Sequence, residues 1–161
     1  MTTTRAVAAR PPDCTAARSP GFRLCRQRFG QPPRTPSTIQ RRDGAGWSVL
    51  VAGPPGSVHD GLQIGHWENA WLSPDGETLL AQWSAECEIP IAFFVDVADR
   101  SMRPATGERR WVDAPESIAL GWNADGRARV RLTKGYCGGK KYPPGVYLID
   151  PKSFKLTAAR G

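Results

Sequence analysis

From Trp47 onward, apolar and polar residues alternate in short runs separated by turn residues. In "TLLAQWS" (78–84), Leu79, Ala81 and Trp83 fall on one face. In "IAFFVDV" (91–97), Ile91, Phe93, Val95 and Val97 do the same. In "RARVRLT" (127–133), Ala128, Val130 and Leu132 face one way and Arg127, Arg129 and Arg131 the other. A period of two marks a β-strand, whose successive side chains point to opposite faces. The first two runs are apolar on their second face as well, with Leu80 behind Leu79 and Phe94 behind Phe93. That pattern predicts strands covered on both sides. The arginine row predicts a terminal sheet with one face in solvent, although a basic stripe for a partner would look the same.

The runs belong to a repeat. "AWLSPDGETLLAQWSAEC" (70–87) and "GWNADGRARVRLTKGYC" (121–137) each carry an Asp-Gly pair and a terminal Cys. Asp75-Gly76 and Asp125-Gly126 are fifty residues apart, and so are Cys87 and Cys137. Trp71 precedes its Asp by four positions and Trp122 by three. After each Cys comes an apolar run closed by an aspartate, Asp96 or Asp150. The second copy carries about four extra residues in "GGKKYPP". Asp-Gly between apolar runs signals a hairpin, because glycine accepts the positive φ that tight turns require. Short polar strands, "SMRPATGE" and "FKLTAARG", close the two units, and "WSVLVAGPPG" (47–56) reads as the closing strand of a preceding one. The expected fold is all-β, with two tandem four-stranded antiparallel units in a domain spanning 44–161. The first unit covers about residues 66–107 and the second about 117–161.

"WLSPDGETLLAQWS" followed by "AFFVDVAD" resembles a blade of a TolB-type or WD-repeat-like β-propeller. "GWNADGRARVRLT" followed by "GVYLID" is similar more loosely, with Asn-Ala in place of Ser-Pro. The resemblance covers about residues 47–161. It implies a non-enzymatic module for protein–protein interaction or a structural role. Propellers close with four or more blades, so two blades imply a fragment of a longer propeller, self-association, or two sheets packed as a sandwich. The alternatives in function are an accessory or truncated part of a propeller-bearing enzyme, and nucleic-acid binding through a basic tail.

Charge bears on that last alternative. Residues 1–43 hold nine Arg, no Lys and two acids, Asp13 and Asp43, a balance of +7 that accounts for the whole net charge. Residues 44–161 hold thirteen basic and thirteen acidic residues. "RPPDCTAARSPG" and "QPPRTPSTIQRRDG" are rich in Pro and Arg and show no hydrophobic period, so residues 1–43 are expected to form a disordered tail. An Arg-rich arm suits RNA, DNA or an anionic membrane. A solvated tail is the simpler reading, and the balanced remainder offers no field to attract nucleic acid. No stretch approaches the roughly 18 apolar residues of a membrane span. "MTTTRAVAARPPDC" also lacks the apolar core of a secretory signal.

Candidate chemistry is sparse. His59, Asp60, His66 and Glu68 fall in "GSVHDGLQIGHWEN" without a recognised ligand spacing, so no metal site is expected. "YCGGKKYPPG" lacks the strand-to-helix context of a phosphate loop, and no G-x-S-x-G elbow occurs. Glu86 and Glu88 flank Cys87 and would raise the pKa of a free thiol there, which argues against a nucleophile. Cys14 and Cys25 share no metal-like spacing with anything. No catalytic residue, cofactor or enzymatic activity is expected.

If the units are equivalent, Cys87 and Cys137 occupy matching loops on one rim. A bridge between them would staple the two blades and close a loop of about fifty residues, worth on the order of 4 kcal/mol in the chain-entropy model. Two free thiols repeated by duplication are the alternative. A bridge would favour an extracytoplasmic or envelope location, with an export or anchor segment carried by a longer parent chain; free thiols would favour the cytoplasm. Thiol titration of denatured, unreduced protein from the native host is expected to find both cysteines blocked. Finding both free refutes the bridge.

Overall fold

The computed structural model describes residues 13–26, 37–59, 62, 63, 65–85, 88–133 and 142–160. Within them, three four-stranded sheets follow one another along the chain. The first comprises β1 (Asp13–Ala16), β2 (Phe22–Arg26), β3 (Thr38–Asp43) and β4 (Gly46–Val51). A short hairpin of β5 (Val58–His59) and β6 (Leu62–Gln63) leads on. The second sheet comprises β7 (His66–Leu72), β8 (Thr78–Ser84), β9 (Pro90–Asp96) and β10 (Met102–Pro104). After a 3-10 turn at Trp111–Asp113, the third comprises β11 (Ser117–Trp122), β12 (Ala128–Leu132), β13 (Gly145–Ile149) and β14 (Leu156–Ala158). Each sheet is an antiparallel meander in which sequence neighbours pair, the strand arrangement of a propeller blade.

The all-β class agrees with the sequence. The number of sheets does not: there are three rather than two. "WSVLV" is the closing strand of a complete preceding sheet, whose other strands come from residues 13–26 and 37–43. The expectation of a disordered tail over residues 1–43 is corrected for these strands, and residues 1–12 and 27–36 lie outside the described residues. The run "FRLCR" carries a short period-two pattern, with Phe22 and Leu24 buried and Arg23 turned outward. Too few apolar residues stand in it to outweigh the Arg and Pro around it when the chain is read alone. Packing on the second sheet supplies what local pattern lacks, since tertiary contacts override weak strand propensity. A disulfide also ties β1 to β2, joining the directly opposed Cys14 and Cys25. Closing a loop of eleven residues' separation is worth about 3 kcal/mol in the chain-entropy model.

The sheets stack face to face, with the second in the middle. One core lies between the first and second sheets. Phe22, Leu24, Ile39, Leu50 and Val51 meet Leu79, Ala81, Ile91, Val95 and an aromatic cluster there. In that cluster, Trp67 stands edge-on to Trp83 at 4.9 Å and to Phe93 at 5.6 Å, a geometry that aligns ring edges with ring faces. The Trp67 indole N–H donates to the Ala52 carbonyl, which fixes the ring. The other core lies between the second and third sheets and holds Leu80, Ala92, Phe94, Val130, Leu132, Tyr147 and Ile149. Phe94 stacks on Trp122, and Arg103 lies over Phe154.

The two repeated tryptophans meet in this second core, but from opposite sides. Trp71 pairs with Leu80 and faces the third sheet, whereas Trp122 pairs with Ala128 and faces the second. The hairpin after Trp122 is one residue shorter, with Trp122 opposite Ala128 where Leu72 is opposite Leu79. A one-residue shift moves a side chain to the other face. The Trp122 indole N–H then donates to the Trp71 carbonyl at 2.9 Å.

A buried amide closes the same interface. Gln82 accepts a hydrogen bond from the Ala119 N–H through Oε1 at 2.7 Å. Its Nε2 donates to the Ser117 carbonyl at 3.2 Å. The side chain thus pairs with the free edge of β11 as another strand would. The Ser117 hydroxyl in turn accepts from the Ala92 N–H. Gln82→Leu keeps similar bulk but strands a buried N–H and a buried carbonyl. The expected cost is about 2–4 kcal/mol, seen as a lower urea midpoint with an unchanged slope. A loss below about 0.5 kcal/mol would show that β11 does not depend on this amide.

Candidate functional site

The hairpin turns share one end of the stack. Lys152 of the β13–β14 turn reaches Glu77 of the β7–β8 turn at 3.5 Å, and the Ser19 hydroxyl accepts from the Leu72 N–H. Asp75-Gly76 and Asp125-Gly126 both lie between the first two strands of their sheets. Gly76 and Gly126 have φ of +77° and +83°, and their N–H groups donate back to the carbonyls of Ser73 and Asn123. Each aspartate folds into its own turn. Asp75 accepts from the Ser73 hydroxyl and the Glu77 N–H, while Asp125 holds the Arg127 side chain at 2.7 Å.

Two further aspartates do comparable work, and the sequence marked them only as strand ends. Asp96 accepts from the N–H groups of Ala98 and Asp99, and Asp150 from those of Lys152 and Ser153. Four residues beyond each stands a non-glycine residue with positive φ, Arg100 at 63° and Phe154 at 58°. The aspartates of these turns are therefore committed to groups of their own turns, amides and hydroxyls at Asp75, Asp96 and Asp150 and a guanidinium at Asp125. Among the described residues, no three His, Cys, Asp or Glu side chains converge into a metal shell.

At the opposite end, a cleft of about 460 Å³ opens between β1, β2 and β7. Asp13, Cys14, Cys25, Arg26, His66 and Glu68 contribute to its lining. His66 Nε2 lies 3.7 Å from Glu68. Burial, and then Arg26, push the imidazole below its ordinary pKa, while Glu68 and Glu88 pull weakly upward. Burial is the largest of these influences, and the net direction is downward. Of the four groups considered for a metal, the structure brings His66 and Glu68 together. His59 belongs to β5, and Asp60 lies outside the described residues. Cys87, Cys137 and Glu86 also lie outside them. The visible bridge is the one between Cys14 and Cys25, a pair the sequence did not link.

The outer faces of the stack differ. On the first sheet, Trp47 is sandwiched by its own arginines, with Arg23 at 4.5 Å and Arg42 at 5.5 Å from the ring centroid. Arg23 also donates to Gln40 at 2.8 Å. On the third sheet, Arg131 stands between Ile118 and Val146, and Arg129 stands opposite Leu148. The three aliphatic residues are half-buried and the two arginines exposed. Neither Arg129 nor Arg131 has an ion pair or hydrogen bond among the described residues. Arg127, the third member of the row, is turned into the Asp125 loop.

No family model and no curated protein matches this chain. Among solved structures, it is similar to TolB from Acinetobacter baumannii, with 15% sequence identity and a TM-score of 0.47. The match covers 86% of this chain and 29% of that one, so this chain spans less than a third of that protein's length. No helix among the described residues is long and apolar enough to cross a membrane.

The turn aspartates set an acid limit. Hydrogen bonding holds Asp75, Asp99, Asp125 and Asp150 below their ordinary value. In the unfolded chain they take up protons first, so stability from these groups is present above the ordinary carboxylate pKa of about 4 and is lost below it. Chemical denaturation between pH 6 and pH 2.5 should show stability falling below pH 4. An Asp75→Asn/Asp150→Asn variant should show a shallower fall. An identical acid limb in the variant would show that these turns do not contribute to it.

Proposed function

We propose that this chain is a non-catalytic β-sheet module that binds a protein partner through the open face of its third sheet. One observation carries the reading: β11, β12 and β13 present aliphatic side chains outward on a face that no other described element covers, with two unengaged arginines among them. Apolar surface rimmed by polar groups is how sheets meet partners, and arginine is enriched in such contacts. The outer face of the first sheet differs: Arg23 and Arg42 lie over its Trp47, and Val49 stands exposed beside them. The Cys14–Cys25 bridge supports an oxidising, extracytoplasmic setting for the encounter.

A photo-crosslinking residue introduced at Val146, Val49 or Val112 in the native host tests the reading. The expected result is a discrete protein adduct at Val146. Adducts made only with nucleic acid or lipid, or none at any of the three positions, would remove protein binding as the function.

A further inference from the structure

We infer that the partner of the third sheet is an acidic β-sheet of a separate protein, one that turns a row of carboxylates toward β12 and aliphatic side chains toward β11 and β13. The inference rests on the reading of this face as a protein-binding surface and adds the chemistry of its occupant. It starts from register. Across the face, the rows read Ile118, Arg131, Val146 and Arg129, Leu148, so cation and aliphatic group alternate across the sheet, while β12 itself turns only arginines outward. A strand laid on this face sees guanidinium groups two residues apart, about 7 Å at strand rise. A facing strand with acids at every second position matches that spacing, and the strands on either side of it in the same sheet bring aliphatic residues to Ile118, Val146 and Leu148.

Arginine is suited to this because its planar fork pairs with a carboxylate through two hydrogen bonds. Neither arginine spends that capacity within the described structure, unlike Arg127 with Asp125 or Arg23 with Gln40. Two observations narrow the occupant. A second copy that laid its own first or third sheet squarely on this face would set Arg23 and Arg42, or a second Arg129 and Arg131, against these arginines. A nucleic acid would leave the aliphatic residues facing phosphate, and two arginines supply little of the counterion release that drives such binding.

The test uses the full chain with labelled, end-capped twelve-residue peptides as probes. One alternates Glu and Val, and another alternates Lys and Val; a 20-base-pair DNA duplex serves as the polyanion. At 50 mM salt, the Glu–Val peptide should bind at least about tenfold more tightly than the Lys–Val peptide, and several-fold more weakly at 300 mM. Backbone amide shifts on binding should centre on β12 and β13. The Arg129→Ser/Arg131→Ser variant, substituted at exposed positions and checked by thermal melting, should lose about tenfold in affinity. Leu148→Ser should also weaken binding.

Equal binding of the two peptides would overturn the inference, as would unchanged affinity in the double variant. Tighter binding of the duplex that depends on the same arginines would assign the face to nucleic acid. A concentration-dependent dimer, abolished by Leu148→Ser in sedimentation, would assign it to a second copy. If the crosslinker forms its protein adduct at Val49 or Val112 instead of Val146, protein binding stands and this assignment of the face falls.

Discussion

Strands β8 and β9 have no solvent side, and the rest of the molecule follows from that. From Leu79 to Ser84 and from Ile91 to Val95 every residue is buried. A sheet that is apolar on both faces is not stable alone, because it needs a cover on each. Trp83 and Phe93 require one partner, and Leu80 and Phe94 another. The first and third sheets are those covers. Aromatic side chains bury on the order of 150–250 Å² each, so the cluster of Trp67, Trp83 and Phe93 can hold a first sheet whose own sequence is poor in apolar residues.

Stacking sheets this way leaves strand edges inside the structure, where bare N–H and carbonyl groups are costly. Side chains meet that demand at each junction. Gln82 pairs with the edge of β11, and Ser117 reaches across to β9. Between the first two sheets, Ser37 and Ser19 accept from the N–H groups of Trp67 and Leu72, and Asn69 accepts from Arg18. The apolar faces set which sheets adhere. These polar contacts set how far each sheet slides along its neighbour, since a displaced sheet would leave buried groups unpaired.

The second and third sheets were legible because their strands carry their own pattern. "TLLAQWS" and "IAFFVDV" are apolar enough to declare a doubly covered position, and "RARVRLT" declares an end. The Asp-Gly pairs mark two turns because only glycine accepts that backbone readily. The first sheet was not legible for an equally physical reason: arginines dominate its outward face, and its strands bury three residues at most, with none in β1. Its stability comes from the second sheet and from the Cys14–Cys25 bond, neither of which is local in sequence. The turn-forming roles of Asp96 and Asp150 were hidden as well, since Arg100 and Phe154 adopt positive φ without a glycine to announce it. The open face was half legible. The arginine row showed a surface, but not that Arg127 leaves the row for Asp125, or that Ile118, Val146 and Leu148 fill the space between the other two.

Stacked sheets face a particular hazard, which the outer faces of the first and third sheets bear on. Any stack whose first and last faces complement each other can add copies without limit, because a heterologous contact that does not close propagates. Apolar end faces would do this readily. Here the outer faces of the first and third sheets both carry arginine, so laying one copy's face squarely on another's sets like charges against each other. On the first sheet the charge lies over Trp47. On the third sheet it is left free among aliphatic side chains. The same two residues that disfavour a second copy laid squarely on this face favour a surface of opposite sign, so one pair of charges bears on both contacts.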